Sequence, residues 1–87
     1  MDFELINERV KVVAVFDNNL RTNCRPIKFL RPNKTEINIT EIGLVYPKID
    51  GSHIYHIFDV TDGKADYRLE FDSKTLVWRL TAIGDVF

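Results

Sequence analysis

Eighty-seven residues, 45% hydrophobic and 29% charged, fit one folded domain and leave no room for a second core. Twelve Lys and Arg against thirteen Asp and Glu give a formal charge of −1, so no global field draws the chain to nucleic acid or anionic lipid. Collagen-like, disordered and coiled-coil readings are excluded by the same composition. One cysteine, Cys24, cannot close an intrachain disulfide, and the expected setting is a reducing cytoplasm. The acidic opening Met1-Asp2-Phe3-Glu4 lacks a secretory signature. The longest apolar run, five residues over 12–16, falls far short of the roughly 20 a membrane helix needs, so no membrane partner is expected.

Residues 2–8, with Phe3 and Ile6 at i,i+3, suit either a helical turn or an extended segment. Residues 9–16 are rich in β-branched side chains and apolar on both faces, which predicts a strand near the sheet centre or bent across a barrel; Asp17-Asn18-Asn19 breaks it. Residues 25–30 form a short strand with Ile27 and Phe29 inward. Pro32-Asn33-Lys34 turns it into a strand over 36–42, where Ile37 and Ile39 share a face. Gly43 marks a bulge or sharp bend. Leu44-Val45-Tyr46 continues the strand until Pro47 stops it and demotes that end to an edge, with residues 49–52 as the next loop.

Residues 53–60 place Ile54, His56, Phe58 and Val60 on one face and His53, Tyr55, Ile57 and Asp59 on the other. Thr61-Asp62-Gly63-Lys64 is a hairpin turn, since Asp-Gly supplies positive φ. In 65–72 the apolar Ala65, Tyr67, Leu69 and Phe71 alternate strictly with charged residues. After the turn Asp72-Ser73-Lys74, the apolar Leu76, Trp78, Leu80 and Ala82 alternate with Val77, Arg79 and Thr81. The expected fold is a single all-β domain over 1–87, a small antiparallel meander of five or six strands forming an SH3-like barrel or strongly bent sheet.

Chemistry-bearing residues are sparse. His53 and His56, three apart in a strand, point to opposite faces and cannot share a metal ion. Asp59, Asp62 and Asp66 crowd one hairpin without calcium-loop spacing and read as solvated charges. Cys24 lies in a basic stretch that could lower its pKa. With no Gly-x-Ser-x-Gly, Cys-x-x-Cys or phosphate-cradling glycine loop, neither an enzyme, a metal site nor a cofactor is expected.

The most informative local feature is the acid-free run over 20–35, which carries Arg21, Arg25, Lys28, Arg31 and Lys34. Such a run can seat phosphates, an acidic protein surface or water. Aromatic residues that could stack on bases include Phe29, Tyr46, Tyr55, Phe58, Tyr67 and Trp78, although most fall in phase with core positions. Val13, Val15, Val77 and Ile83 lie opposite the faces assigned inward and need cover, from barrel closure, from Val86-Phe87 or from a second copy of the chain.

The fragment Ala14-Val15-Phe16-Asp17 resembles the opening of a signalling SH3 domain, but that family's paired tryptophans and proline-tyrosine groove do not follow, so peptide binding of that kind is not expected. An oligonucleotide-binding OB barrel is disfavoured because no helix fits between strands. Pro26-Ile27-x-Phe29, Ile39-x-x-Ile42, Tyr55-x-x-Phe58-x-Val60, Tyr67-x-Leu69 and Trp78-x-Leu80 are together similar to a small uncharacterised all-β domain of bacteria, found alone or beside error-prone Y-family DNA polymerases. Members of that family carry an aromatic or Arg-rich stretch and a glycine after the second strand, where this chain has Arg31-Pro32-Asn33-Lys34. The resemblance implies the fold and carries no catalytic residue across.

Two functions follow as expectations. The first is a non-enzymatic, nucleic-acid-associated accessory module that places Arg21, Arg25, Lys28, Arg31 and Lys34 on phosphates. The second is a protein-interaction or homodimerisation module that uses sheet edges around Tyr46 and Val77.

Overall fold

The structure, a computed structural model, describes residues 3–18 and 24–85, with Asp85 described through its backbone only. Seven strands follow in chain order: β1 (Phe3–Phe16), β2 (Cys24–Leu30), β3 (Glu36–Asn38), β4 (Glu41–Asp50), β5 (His53–Thr61), β6 (Ala65–Asp72) and β7 (Val77–Asp85). They form one sheet in the order β3-β2-β1-β7-β6-β5-β4, with every neighbouring pair antiparallel.

The curl of this sheet originates in β1. Up to Val10, opposite Trp78, the strand pairs with β7; from Lys11, opposite Leu30, it pairs with β2. Register shifts at Leu5/Glu8 and Val13/Ala14 add the local twist that such a change of partner requires. A strand apolar on both faces is the one that can turn from one wall of the fold into the other, as its composition predicts. On the opposite side β3 and β4, the two ends of the strand order, are joined only by Ile39 and Thr40. The Ile39 N–H donates to the Ile27 carbonyl (3.0 Å) and the Thr40 N–H to the Thr61 carbonyl (2.8 Å), so the chain itself bridges the gap between the two walls.

Inside the curl lie Val10, Phe29, Ile37, Phe58, Val60, Tyr67, Leu69, Phe71, Trp78 and Leu80. Trp78 packs between Phe71 (ring centroids 4.7 Å apart) and Phe58 (5.5 Å), and Phe29 of the β1–β2 wall meets Tyr67 of the other wall edge-on at 5.4 Å. Offset and edge-on rings bury large apolar areas in favourable quadrupole geometry, and here they tie the two walls together.

Several expectations change where the strand period breaks. Residues from Phe3 onward are extended, not helical. The Val13/Ala14 irregularity sits opposite Ile27, so Pro26 and Phe29 point inward while Ile27 is 37% exposed. The strand expected over 36–42 is divided into β3 and β4 at Ile39-Thr40, which raises the strand number to seven. Pro47 does not stop β4, which runs on to Asp50. As the last strand in the order it has a free side where a proline, lacking an N–H, breaks no ladder. Leu76 belongs to the turn, at φ 61°, and is exposed. A register shift at Arg68/Leu69 leaves Ala82 beside Arg68 on the outer face, where it is nonetheless buried, while Ile83 packs on the core. The Gly43 bulge and the Asp62-Gly63 turn stand where the sequence places them: the ladder is irregular between Ile42 and Val45, and Gly63 has φ 89°.

Gly84 has a packing role on the outer face. A Cβ there would stand 2.7 Å from Cε1 of Phe3, whose ring lies over the glycine. Gly84→Ala is therefore expected to push Phe3 off the sheet. Amide exchange at residues 3–5 should quicken while Leu69 and Leu80 stay as protected as in the parent.

Candidate interaction surfaces

Among the described residues, the cations of the basic stretch stand in different surroundings. Arg31 forms a bidentate pair with Glu8, Nε to Oε1 at 2.9 Å and Nη2 to Oε2 at 2.8 Å, which straps β1 to the turn after β2. By register Glu8 stands opposite Leu80, on the core side of the sheet. The guanidinium holds the Glu8 carboxyl below its usual range. Lys28 pairs with Glu36 at 3.3 Å, both exposed. Lys34 sits in the turn at φ 72°, where its N–H donates to the Arg31 carbonyl. Arg25 is exposed on the outer face of β2, opposite Val15, and Arg21 lies outside the described residues. Of the candidate stacking rings, Phe29, Phe58, Tyr67 and Trp78 are buried in the core. Tyr46 and Tyr55 lie on β4 and β5, strands of the opposite wall from these cations.

Tyr46 and Val77 do share the outer face of the large wall, but they do not meet. Tyr46 is on β4 opposite Ile57, and Val77 is three strands away on β7 opposite Asp72. Tyr46 is partly exposed at the sheet edge and Val77 is half-buried.

The histidines take the opposite faces expected of them. His56 approaches the Phe71 ring at 6.3 Å, whereas His53 Nδ1 lies 2.7 Å from Asp72 Oδ2 and its ring stacks on Tyr55. Cys24 is buried, and burial pushes its thiol pKa up, which disfavours the thiolate that nucleophilic chemistry needs. Asp59 is held by Arg68 (Nε to Oδ1, 2.8 Å), and Asp62 caps the hairpin turn by accepting from the N–H groups of Lys64 (2.8 Å) and Ala65 (2.9 Å). Among the described residues no three His, Cys, Asp or Glu gather as a metal site.

Burial alone would raise the carboxyls of Asp62 and Asp72, yet both lie below their ordinary range. Backbone N–H donors and the Tyr67 hydroxyl outweigh burial at Asp62; the Lys74 N–H, His53 and Thr75 do so at Asp72. A carboxyl depressed in the folded state stabilises the fold above its unfolded pKa and loses that contribution as pH falls through the folded value. The urea midpoint followed by Trp78 fluorescence is thus expected to fall as pH drops from about 5 to about 2. Asp72→Asn should flatten that dependence.

What remains on the surface are two outer faces of different character. On the β1–β2 wall, cross-strand pairing puts Lys11 beside Leu30, Val13 beside Lys28 and Val15 beside Arg25. A shallow groove of about 230 Å³ runs between Lys11, Val13, Lys28, Leu30 and Glu36. On the large wall a cleft of about 410 Å³ opens between Phe3 and Leu44. Glu41, Thr61, Asp66, Gly84 and Phe3 lie in one row across four strand pairings, so Glu41 and Asp66 flank Thr61. The neighbouring Asp59–Arg68 pair lines the cleft, with the guanidinium 5.6 Å from the Phe3 ring centroid. Leu44 stands out from the bulge at 67% exposure. The sequence offered no reason to group these residues, because four strand registers must be known before Phe3 can be placed beside Leu44.

Comparison with known proteins finds no matching family model, no matching curated protein and no matching solved structure.

Proposed function

We propose that this domain is a small non-enzymatic protein-interaction module that binds through the outer faces of its curled sheet. The observation that carries the reading is the exposure of Val13, Val15, Ile27, Phe3, Leu44 and Tyr46 on those faces, among charges. Apolar side chains set in a polar surround are the ordinary make-up of a protein interface. Nucleic-acid association has less behind it: Arg31 is engaged by Glu8, and the rings on which bases would stack are in the core or on the other wall.

The test is a fluorescence-anisotropy titration against short single- and double-stranded DNA and RNA at low and moderate salt, alongside an Arg25→Glu, Lys34→Glu variant, which reverses two exposed cations of the basic run and spares the Arg31–Glu8 pair. No binding at low salt is the expected result. Binding that weakens with salt and disappears in the variant would replace this reading with the nucleic-acid one.

A further inference from the structure

We infer that the partner of these faces is a second copy of the same chain, docked head to tail, with the Lys11–Lys28 face of one copy seated in the Glu41–Asp66 cleft of the next. The inference rests on the interaction-module reading above and names the occupant.

Charge complementarity singles out this pairing. The β1–β2 face carries Lys11, Arg25 and Lys28 near the Glu36 carboxylate, with Val13 and Val15 beside them on β1. The cleft carries Glu41 and Asp66 around an Asp59–Arg68 pair that is neutral as a unit, with Phe3 and Leu44 as apolar walls. A chain of formal charge −1 thus presents a cationic apolar patch on one wall and an anionic apolar cleft on the other. Each would be repelled by its own kind, which disfavours a two-fold dimer through either face alone. Each is matched by the other. Both faces back onto the same core and belong to opposite walls of the curl, so one copy cannot satisfy both internally. Contact between unlike patches is heterologous, and copies joined this way make a ring or an open chain rather than a closed pair.

Fit supports the same occupant. The cationic face sets Val13 and Val15 along β1 beside Lys28 and Arg25 on β2, with Lys11 before Val13 on the same strand. The cleft sets Glu41 and Asp66 on either side of Thr61, with Phe3 beyond Asp66 across Gly84 and Leu44 farther along β4. Seating one on the other brings Lys11 and Lys28 to Glu41 and Asp66 while Val13 and Val15 meet Phe3 and Leu44.

The experiment is sedimentation velocity over a concentration series at low salt, with two charge-reversed variants of the full chain. One reverses the cationic face (Lys11→Glu, Lys28→Glu); the other reverses the cleft (Glu41→Lys, Asp66→Lys). The parent should associate, and each variant alone should associate about tenfold or more weakly because its two faces now carry like charge. An equimolar mixture of the two should associate again, since each supplies the face that the other lost. Folding of each is checked by Trp78 fluorescence. If a reversal unfolds the chain, the neutral versions (Lys11→Gln, Lys28→Gln; Glu41→Gln, Asp66→Asn) replace it, with weakened association expected in each. A parent that stays monomeric at every concentration, or a mixture that remains monomeric while the parent associates, overturns the inference. A monomeric parent that also ignores nucleic acid leaves the interaction-module reading standing, whereas nucleic-acid binding in the anisotropy titration removes that reading itself.

Discussion

Leu69→Ala is expected to cost the domain about 2–5 kcal/mol, the range for removing a fully buried leucine and leaving its cavity. Leu69 has no exposed surface and stands opposite Phe58 on one side and Leu80 on the other, at the centre of the curl. Domains of this size have total stabilities of about 5–15 kcal/mol, so this one substitution removes a large share. No disulfide is there to limit the damage. The variant is therefore expected to unfold at much lower urea, with Trp78 emission shifted to the red at concentrations where the parent is intact. Leu5→Ala is the control: Leu5 is 81% exposed, and its truncation should move stability by no more than about 0.5 kcal/mol. Equal midpoints for Leu69→Ala and the parent would mean that the two walls do not share this core.

Arg31→Glu is the second change with a large expected effect. It places a carboxylate against Glu8, whose two oxygens each accept a hydrogen bond from the Arg31 guanidinium, and it removes the strap between β1 and the β2–β3 turn. The unfolding midpoint should fall clearly. Reversing both partners, Glu8→Arg with Arg31→Glu, should restore much of it, because the pair's geometry is bidentate and local. Lys34→Glu, a reversal in the same basic run at an exposed turn position, should leave the midpoint unchanged. Had Arg31 been a phosphate ligand, its reversal would lower affinity and spare the fold; the structure gives the opposite expectation.

Much of the large wall was legible in the sequence because its periodicity is clean. Ala65, Tyr67, Leu69 and Phe71 alternate with charges through all of β6, and Asp62-Gly63 announces the turn before it, so both bounds of that strand could be read directly. Legibility ended where an irregularity shifts the phase. Ile27 and Ala82 each look inward by counting in twos, and each is displaced by a register shift that alternation does not record. Pro47 carried half of its meaning: it marked an edge, but an edge strand can continue through a proline on its free side.

The candidate surfaces were less legible, for a related reason. The cations of residues 21–34 are close in sequence, which made them look like one site, yet the partners that decide their roles are remote. Glu8 is 23 residues from Arg31 and reaches it only because β1 lies beside both β7 and β2. The cleft draws on β1, β4, β5 and β6, and nothing short of the strand order puts Phe3 and Leu44 on its two sides. Local composition pointed to Arg25 and Lys28, and only the register adds Lys11, Val13 and Val15 to them and assembles the cleft on the other wall.

Which surfaces make contact is read directly by amide chemical shifts of the uniformly labelled chain over a dilution series at low salt. Concentration-dependent movement is expected at Lys11, Val13, Val15 and Lys28 on one wall and at Glu41, Leu44, Thr61 and Asp66 on the other, in parallel and with one apparent constant. Arg31 and Lys34 should stay still. Movement centred on the Arg31–Lys34 turn, or no movement at either face, would contradict contact between these two faces.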